Sequence, residues 1–113
     1  MAFNDIERKR IQIALDAWVE QKRPPPQVRH QVDIGYTIEK QSIIIHEDRV
    51  NMHNKWFVLP VAKLTFIKVH RVWRIFWMRG DLKWHSYQAT PEVDTLEQAL
   101  DCISQDTYGC FWG

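Results

Sequence analysis

Apolar residues recur at helical spacing near the two ends of this chain and at strand spacing between them. Ile6, Ile13 and Ala17 fall on one side of a helix that would begin after Asn4. Ile11, Ala14 and Trp18 lie beside them, and Leu15 and Val19 extend the stripe. Asn4 reads as the N-cap, and Glu7, three residues on, completes a capping box. The wide apolar arc predicts a well-buried helix, with Lys9, Gln12, Asp16 and Glu20 on its wet side. Pro24, Pro25 and Pro26 end it, because proline lacks an N–H donor and disfavours helix in the residue before it. Three prolines in a row predict a stiff spacer of the polyproline type.

Period-two patterning follows. Val32, Ile34, Tyr36 and Ile38 alternate with Asp33, Gly35, Thr37 and Glu39, as in a half-buried strand. Ser42 to Glu47 reads as its partner, joined by a turn at Lys40-Gln41. Arg49 to Lys55 reads as a polar loop. Trp56 to Leu59 resumes a strand, and Pro60 assigns that strand an edge position or a bulge. Gly80-Asp81 suits a two-residue type II′ hairpin turn, which would pair Trp77 with Trp84, Phe76 with His85 and Arg74 with Tyr87. A turn at His70-Arg71 would set Phe66 against Ile75 and Leu64 against Trp77.

These registers divide the sheet into two faces, since successive strand side chains point to opposite sides. Ala62, Leu64, Phe66, Trp73, Ile75, Trp77, Leu82 and Trp84 share one face, which is the expected core. The other face carries Lys63, Thr65, Ile67, Val69, Val72, Arg74, Phe76, Met78, Lys83, His85 and Tyr87. A second helix is predicted from Thr95, where Thr95 and Gln98 form another capping box ahead of Leu96, Ala99, Leu100 and Ile103. The aromatic tail from Tyr108 onward is expected to dock on the body. Together these elements predict an α+β fold: an N-terminal helix, a mainly antiparallel sheet of about five strands, and a C-terminal helix. The 113 residues fit a single domain, with no internal repeat.

Composition narrows the functional classes. Fifteen Lys and Arg against fourteen Asp and Glu give a net charge of +1, so attraction to nucleic acid must come from a local basic patch. No apolar run reaches the length of a membrane span, which argues against a membrane partner. The polar N-terminus lacks the apolar stretch of a signal peptide, so a cytoplasmic location is expected. Cys102 and Cys110 have no zinc spacing and read as reduced thiols.

Five short runs carry a resemblance. Arg23 to Pro26 (RPPP), Pro60 to Lys63 (PVAK), Val72 to Trp77 (VWxxxW), Asp81 to Tyr87 (DLKWHSY) and Cys110 to Gly113 (CFWG) occur in this order. The chain thereby resembles a family of short bacterial proteins known only as domain-of-unknown-function family 3024. The resemblance spans nearly the whole chain and implies a bacterial or phage origin and a stand-alone domain. It brings no activity, cofactor or catalytic residue. Members tend to carry alanine where this chain has Gly80.

The side-chain chemistry points the same way. His30, His46, His53, His70 and His85 show no ligand spacing, so no metal site and no cofactor are expected. Neither cysteine has a base beside it in sequence, and the one E-x-K pattern, Glu7 to Lys9, lies on the first helix. No catalytic residue is assigned, and a metal-dependent nuclease-like enzyme ranks third among the readings. The second sheet face is the candidate site. Phe76, His85 and Tyr87 would stack bases, while Lys63, Arg74 and Lys83 would neutralise phosphates, with Arg71 and Arg79 near the strand ends. The expected protein is a small non-enzymatic module binding single-stranded or structured nucleic acid. The alternative is a protein-interaction or homodimerisation module, or a face covered by a helix.

Overall fold

Both helices begin where their capping boxes place them. In a computed structural model describing residues 2–112, α1 runs Asp5–Lys22 and α2 runs Leu96–Gln105. The Asn4 side chain accepts from the Glu7 N–H, and the Thr95 hydroxyl accepts from the Gln98 N–H. Glu7 and Gln98 accept in return from the N–H groups of Asn4 and Thr95. Between the helices lie a 3-10 turn (Pro26–Val28), β1 (Val32–Glu39), β2 (Ser42–Val50), β3 (Trp56–Ile67), β4 (Val72–Met78), β5 (Trp84–Ser86) and β6 (Glu92–Val93). The sheet is antiparallel in the order β1-β2-β3-β4-β5, and β6 pairs with β4.

The proline spacer is clamped at both ends. Pro25 is extended, with φ −54° and ψ 147°. Arg23 then reaches across it and donates to both carboxylate oxygens of Asp33, at 3.0 and 2.7 Å. Arg29 donates back to the Pro24 carbonyl. The guanidinium holds the Asp33 carboxyl below the usual carboxylate range.

All the packing lies on one side of the sheet. The registers align Tyr36, Ile45, Ala62 and Trp77 across the strands, and likewise Ile38, Ile43, Leu64 and Ile75. Ile11, Leu15 and Trp18 of α1 and Leu96, Ala99, Leu100 and Ile103 of α2 are buried against that face. Each of the larger side chains among them contributes roughly 1.5–3 kcal/mol by leaving water. The helices are tied together where Trp18 Nε1 donates to the Ser104 hydroxyl at 2.9 Å. The Tyr36 hydroxyl donates to Asp16 at 2.6 Å, and burial first, then this bond, pushes its pKa up to about 12.

The α1 stripe is narrower than its sequence suggests. Ile6 and Ile13 are 68% and 60% exposed, and Ala17 is exposed as well. A helix in a two-layer protein meets neighbours on one side only, so the outer part of a wide apolar arc stays in water.

The two later hairpins depart from the expected registers in different ways. The β3–β4 connection is a four-residue turn, Lys68 to Arg71, with Arg71 at φ 54° and its N–H donating to Ile67. Phe66 therefore faces Trp73 and Leu64 faces Ile75, a shift of two residues. An even shift leaves every side chain on its expected face. The β4–β5 connection is a three-residue loop, Gly80 to Leu82, in which Leu82 takes the positive φ of 62°. Its register pairs Trp77 with His85 and Met78 with Trp84, a shift of one. An odd shift turns β5 over, so Trp84 leaves the core face while His85 and Tyr87 join it.

Pro60 does not end β3. Ile45 pairs with Ala62 while His46 pairs with Pro60, so Val61 is the extra residue of a β-bulge. The polar loop shrinks correspondingly, because β2 continues to Val50.

Candidate functional site

The second face of the sheet is bare. No described element lies across it, and apart from Val61 at the bulge none of its residues is buried. One cross-strand row runs Thr37, Ile44, Lys63, Phe76 and Ser86; the next runs Glu39, Ser42, Thr65, Arg74 and Glu92. Met78 and Trp84 sit opposite each other beyond the first row. Phe76 and Trp84 are thus diagonal neighbours on adjacent strands, within reach of one ligand.

The structure keeps three of the six expected site residues on this face and moves the others. Lys63, Arg74 and Phe76 occupy it as expected. Lys83 lies in the exposed end of the β4–β5 loop. Tyr87 is only 5% exposed and belongs to the core, its ring 4.9 Å from that of Phe111. Burial raises its pKa. His85 points to the helix side and its Nε2 bonds to Asp81 Oδ2 at 2.8 Å. That bond, with the Lys83 N–H on Asp81 Oδ1, keeps the Asp81 carboxyl below its usual range. The base-stacking trio of Phe76, His85 and Tyr87 therefore does not exist as one surface, and Trp84 takes the place beside Phe76.

A readable signal for Trp84 was Asp81. Its side chain accepts from the N–H two residues on, an Asx turn that lengthens the loop by one residue. Gly80 needs no special φ, and a Cβ there would meet nothing within 4 Å, so alanine would fit at this position.

The cations on the face and at the β4–β5 turn differ in how free they are. Arg74 pairs with Glu92 at 3.6 Å, with both side chains about half exposed, a contact worth little by itself. Lys63 and Lys83 form no ion pair among the described residues. Arg79 places its guanidinium 5.5 Å from the centre of the Trp77 ring. Toward β1, the His46 ring covers Gly35 and is held by Asp48 at 2.8 Å.

Elsewhere the molecule offers little chemistry. Among the described residues no three His, Cys, Asp or Glu side chains converge on a metal position. Cys102 and Cys110 are half-buried free thiols. A cleft of about 440 Å³ on the helix side is lined by Trp77, Tyr87, Gln88, Ala89, Tyr108 and Cys110, with no charged group in its wall. No described helix is long and apolar enough to cross a membrane.

The fold and this face define a two-layer α+β domain whose antiparallel sheet is helix-covered on one side and open on the other. The chain belongs to the family described as Domain of unknown function (DUF3024), whose pattern matches residues 3–113. No curated protein and no solved structure matches it.

Proposed function

We propose that the protein is a small, cytoplasmic, non-enzymatic binding module that takes single-stranded or structured nucleic acid on its bare sheet face. The observation that carries this reading is the uncovered pair Phe76 and Trp84, with Lys63, which forms no ion pair among the described residues, beside Phe76 in the same cross-strand row. Aromatic rings on an open sheet stack bases of any sequence, and neighbouring cations neutralise the phosphates between them. Tyr87 and His85 have no part in this version of the site.

A protein ligand is the second reading. It is favoured by the apolar side chains of Ile44 and Met78 on the same face and by Glu92, whose carboxylate beside Arg74 would repel a phosphate.

Fluorescence anisotropy with labelled oligo-dT and oligo-U at two salt concentrations separates them. The nucleic-acid reading expects micromolar binding that weakens with salt. Phe76→Ala and Trp84→Ala should each cost about 1–3 kcal/mol per stacked base, and Lys63→Ala should reduce the salt slope by about one unit. Absence of salt-sensitive binding by the wild-type chain rejects it.

A further inference from the structure

A groove lies on the helix side of the sheet, at the end where α1 begins and β3 turns into β4. Phe3 and Ile11 meet Phe66 of β3 and Trp73 of β4 around a cleft of about 170 Å³, and Glu7 and Arg10 complete its wall. A neighbouring cleft of about 380 Å³ shares Glu7 and Phe66 with the first and is otherwise lined by Lys68 and Arg71 of the β3–β4 turn. The two clefts form one groove, apolar at one end and basic at the other.

The apolar end is preformed. The rings of Phe3, Phe66 and Trp73 pack at a tilt, with centroids 5.1, 5.9 and 6.4 Å apart, and Phe3, Ile11 and Trp73 are buried. The β1–β2 turn fixes two of them, since the Phe3 N–H donates to the Lys40 carbonyl and the Phe66 N–H to the Gln41 carbonyl. A cavity of roughly 150 Å³ holds a benzene ring, so this end has room for one ring among aromatic neighbours. The basic end lacks counter-ions. Arg10, Lys68 and Arg71 are exposed and form no ion pair among the described residues. Glu7 is the one acid in the lining, and its carboxylate accepts from the Asn4 N–H as part of the helix cap. Three cations against one carboxylate leave the lining at +2, on a chain whose total is +1.

We propose that this groove binds a small molecule with one aromatic ring on a short chain that ends in a carboxylate or a phosphate. The ring enters the cleft between Phe3, Phe66 and Trp73. The anionic group meets Lys68 and Arg71, where a guanidinium fork offers two N–H donors to two oxygens of either head group. A neutral analogue leaves the basic end unsatisfied, and a cationic one is repelled by it. The groove and the bare face lie on opposite sides of the sheet, so this ligand leaves Phe76 and Trp84 free and its site stands independently of the nucleic-acid reading.

NMR titration of the isotope-labelled full chain with 3-phenylpropionate and with phenyl phosphate tests this. 3-Phenylpropanol supplies the ring without the charge, and inorganic phosphate the charge without the ring. At least one of the two aromatic anions should bind with a Kd of about 1 mM or tighter, about tenfold or more tighter than the matching control. It should shift the amides of Phe66, Lys68, Arg71 and Trp73, and the tighter of the two identifies the head group. Lys68→Gln combined with Arg71→Gln, both in the exposed turn, should keep the circular dichroism spectrum and weaken anion binding about tenfold, with 3-phenylpropanol unaffected. Arg10→Gln repeats the test from α1 should the turn variant unfold. The proposal is overturned if neither anion binds at about 5 mM, if the controls bind as tightly, if the shifts fall on the bare sheet face, or if a folded variant binds the anion undiminished.

Discussion

Asp106 carries the closure of the C-terminal tail, and a double-mutant cycle measures how much. Its backbone is the left-handed cap of α2, with φ 42°, and its N–H donates to the Cys102 carbonyl. Its two carboxylate oxygens accept from the N–H groups of Phe111 and Trp112, at 3.0 and 2.9 Å. Phe111 is buried against Tyr87, and Trp112 Nε1 donates to the Ile103 carbonyl. Asn tolerates the left-handed conformation, so Asp106→Asn isolates the carboxylate. It keeps one acceptor and presents an NH₂ to the other N–H. Hydrogen bonds to charged groups contribute about 1.5–3 kcal/mol. Losing one and weakening the other should cost about 2 kcal/mol, or about 8 °C in Tm for a chain of this size. Phe111→Ala should cost about 3–4 kcal/mol through lost burial and the cavity left beside Tyr87. If the carboxylate acts by seating Phe111, the double variant should be more stable than the sum of the two losses implies, by at least about 0.5 kcal/mol. Chemical denaturation with Trp fluorescence reads all four corners. Additive losses, or an Asn variant that melts with the wild type, would refute the account.

Two further tests address the loop and the proline clamp. Gly80→Ala should leave stability unchanged or raise it by about 0.5 kcal/mol, since the site is open and the chain loses freedom when unfolded; Leu82→Gly should stabilise by about 1 kcal/mol by relieving the positive φ. Thermal melts of the pair that move in the opposite directions would contradict the three-residue loop. Because Arg23 holds the folded Asp33 pKa below its ordinary 3.8, the pair contributes stability above that pH and loses it as pH falls through the folded value. Denaturation midpoints of Asp33→Asn should therefore fall less steeply than those of the wild type on acidification below pH 3.8, and parallel curves would rule out the clamp as a pH-dependent contact.

What could be read from the residues depended on parity. Caps, strand alternation and the central strands were legible because each rests on contacts within a few positions: Asn4 with Glu7, Thr95 with Gln98, Val32 with Ile34. Phe76 and Trp73 were placed on their correct faces even though the β3–β4 turn was two residues longer than expected. The β4–β5 hairpin failed over one residue. Leu82 has no chemical preference for a positive φ, and the Asp81 side chain that shapes the loop was read as part of a glycine turn. That single residue exchanged Trp84 for Tyr87 and His85 on the open face. β6 was not legible either, since two residues, Glu92 and Val93, carry no period of their own and pair with β4 through tertiary placement.

The order of the sheet also sets the order of assembly. Strands β1 to β5 lie side by side in the order they leave the ribosome, so each ladder closes a short loop and forms cheaply. The bond between Trp18 and Ser104 spans 86 positions and waits for α2. During synthesis all five strands of the meander are therefore complete in the chain before α2, half of their cover, has been made. Ile75 and Tyr87, which belong under α2 and the tail, face water over that interval. A nascent chain stalled between β5 and α2 presents an apolar sheet face, and that is the stage at which this protein is most exposed to aggregation and to chaperones.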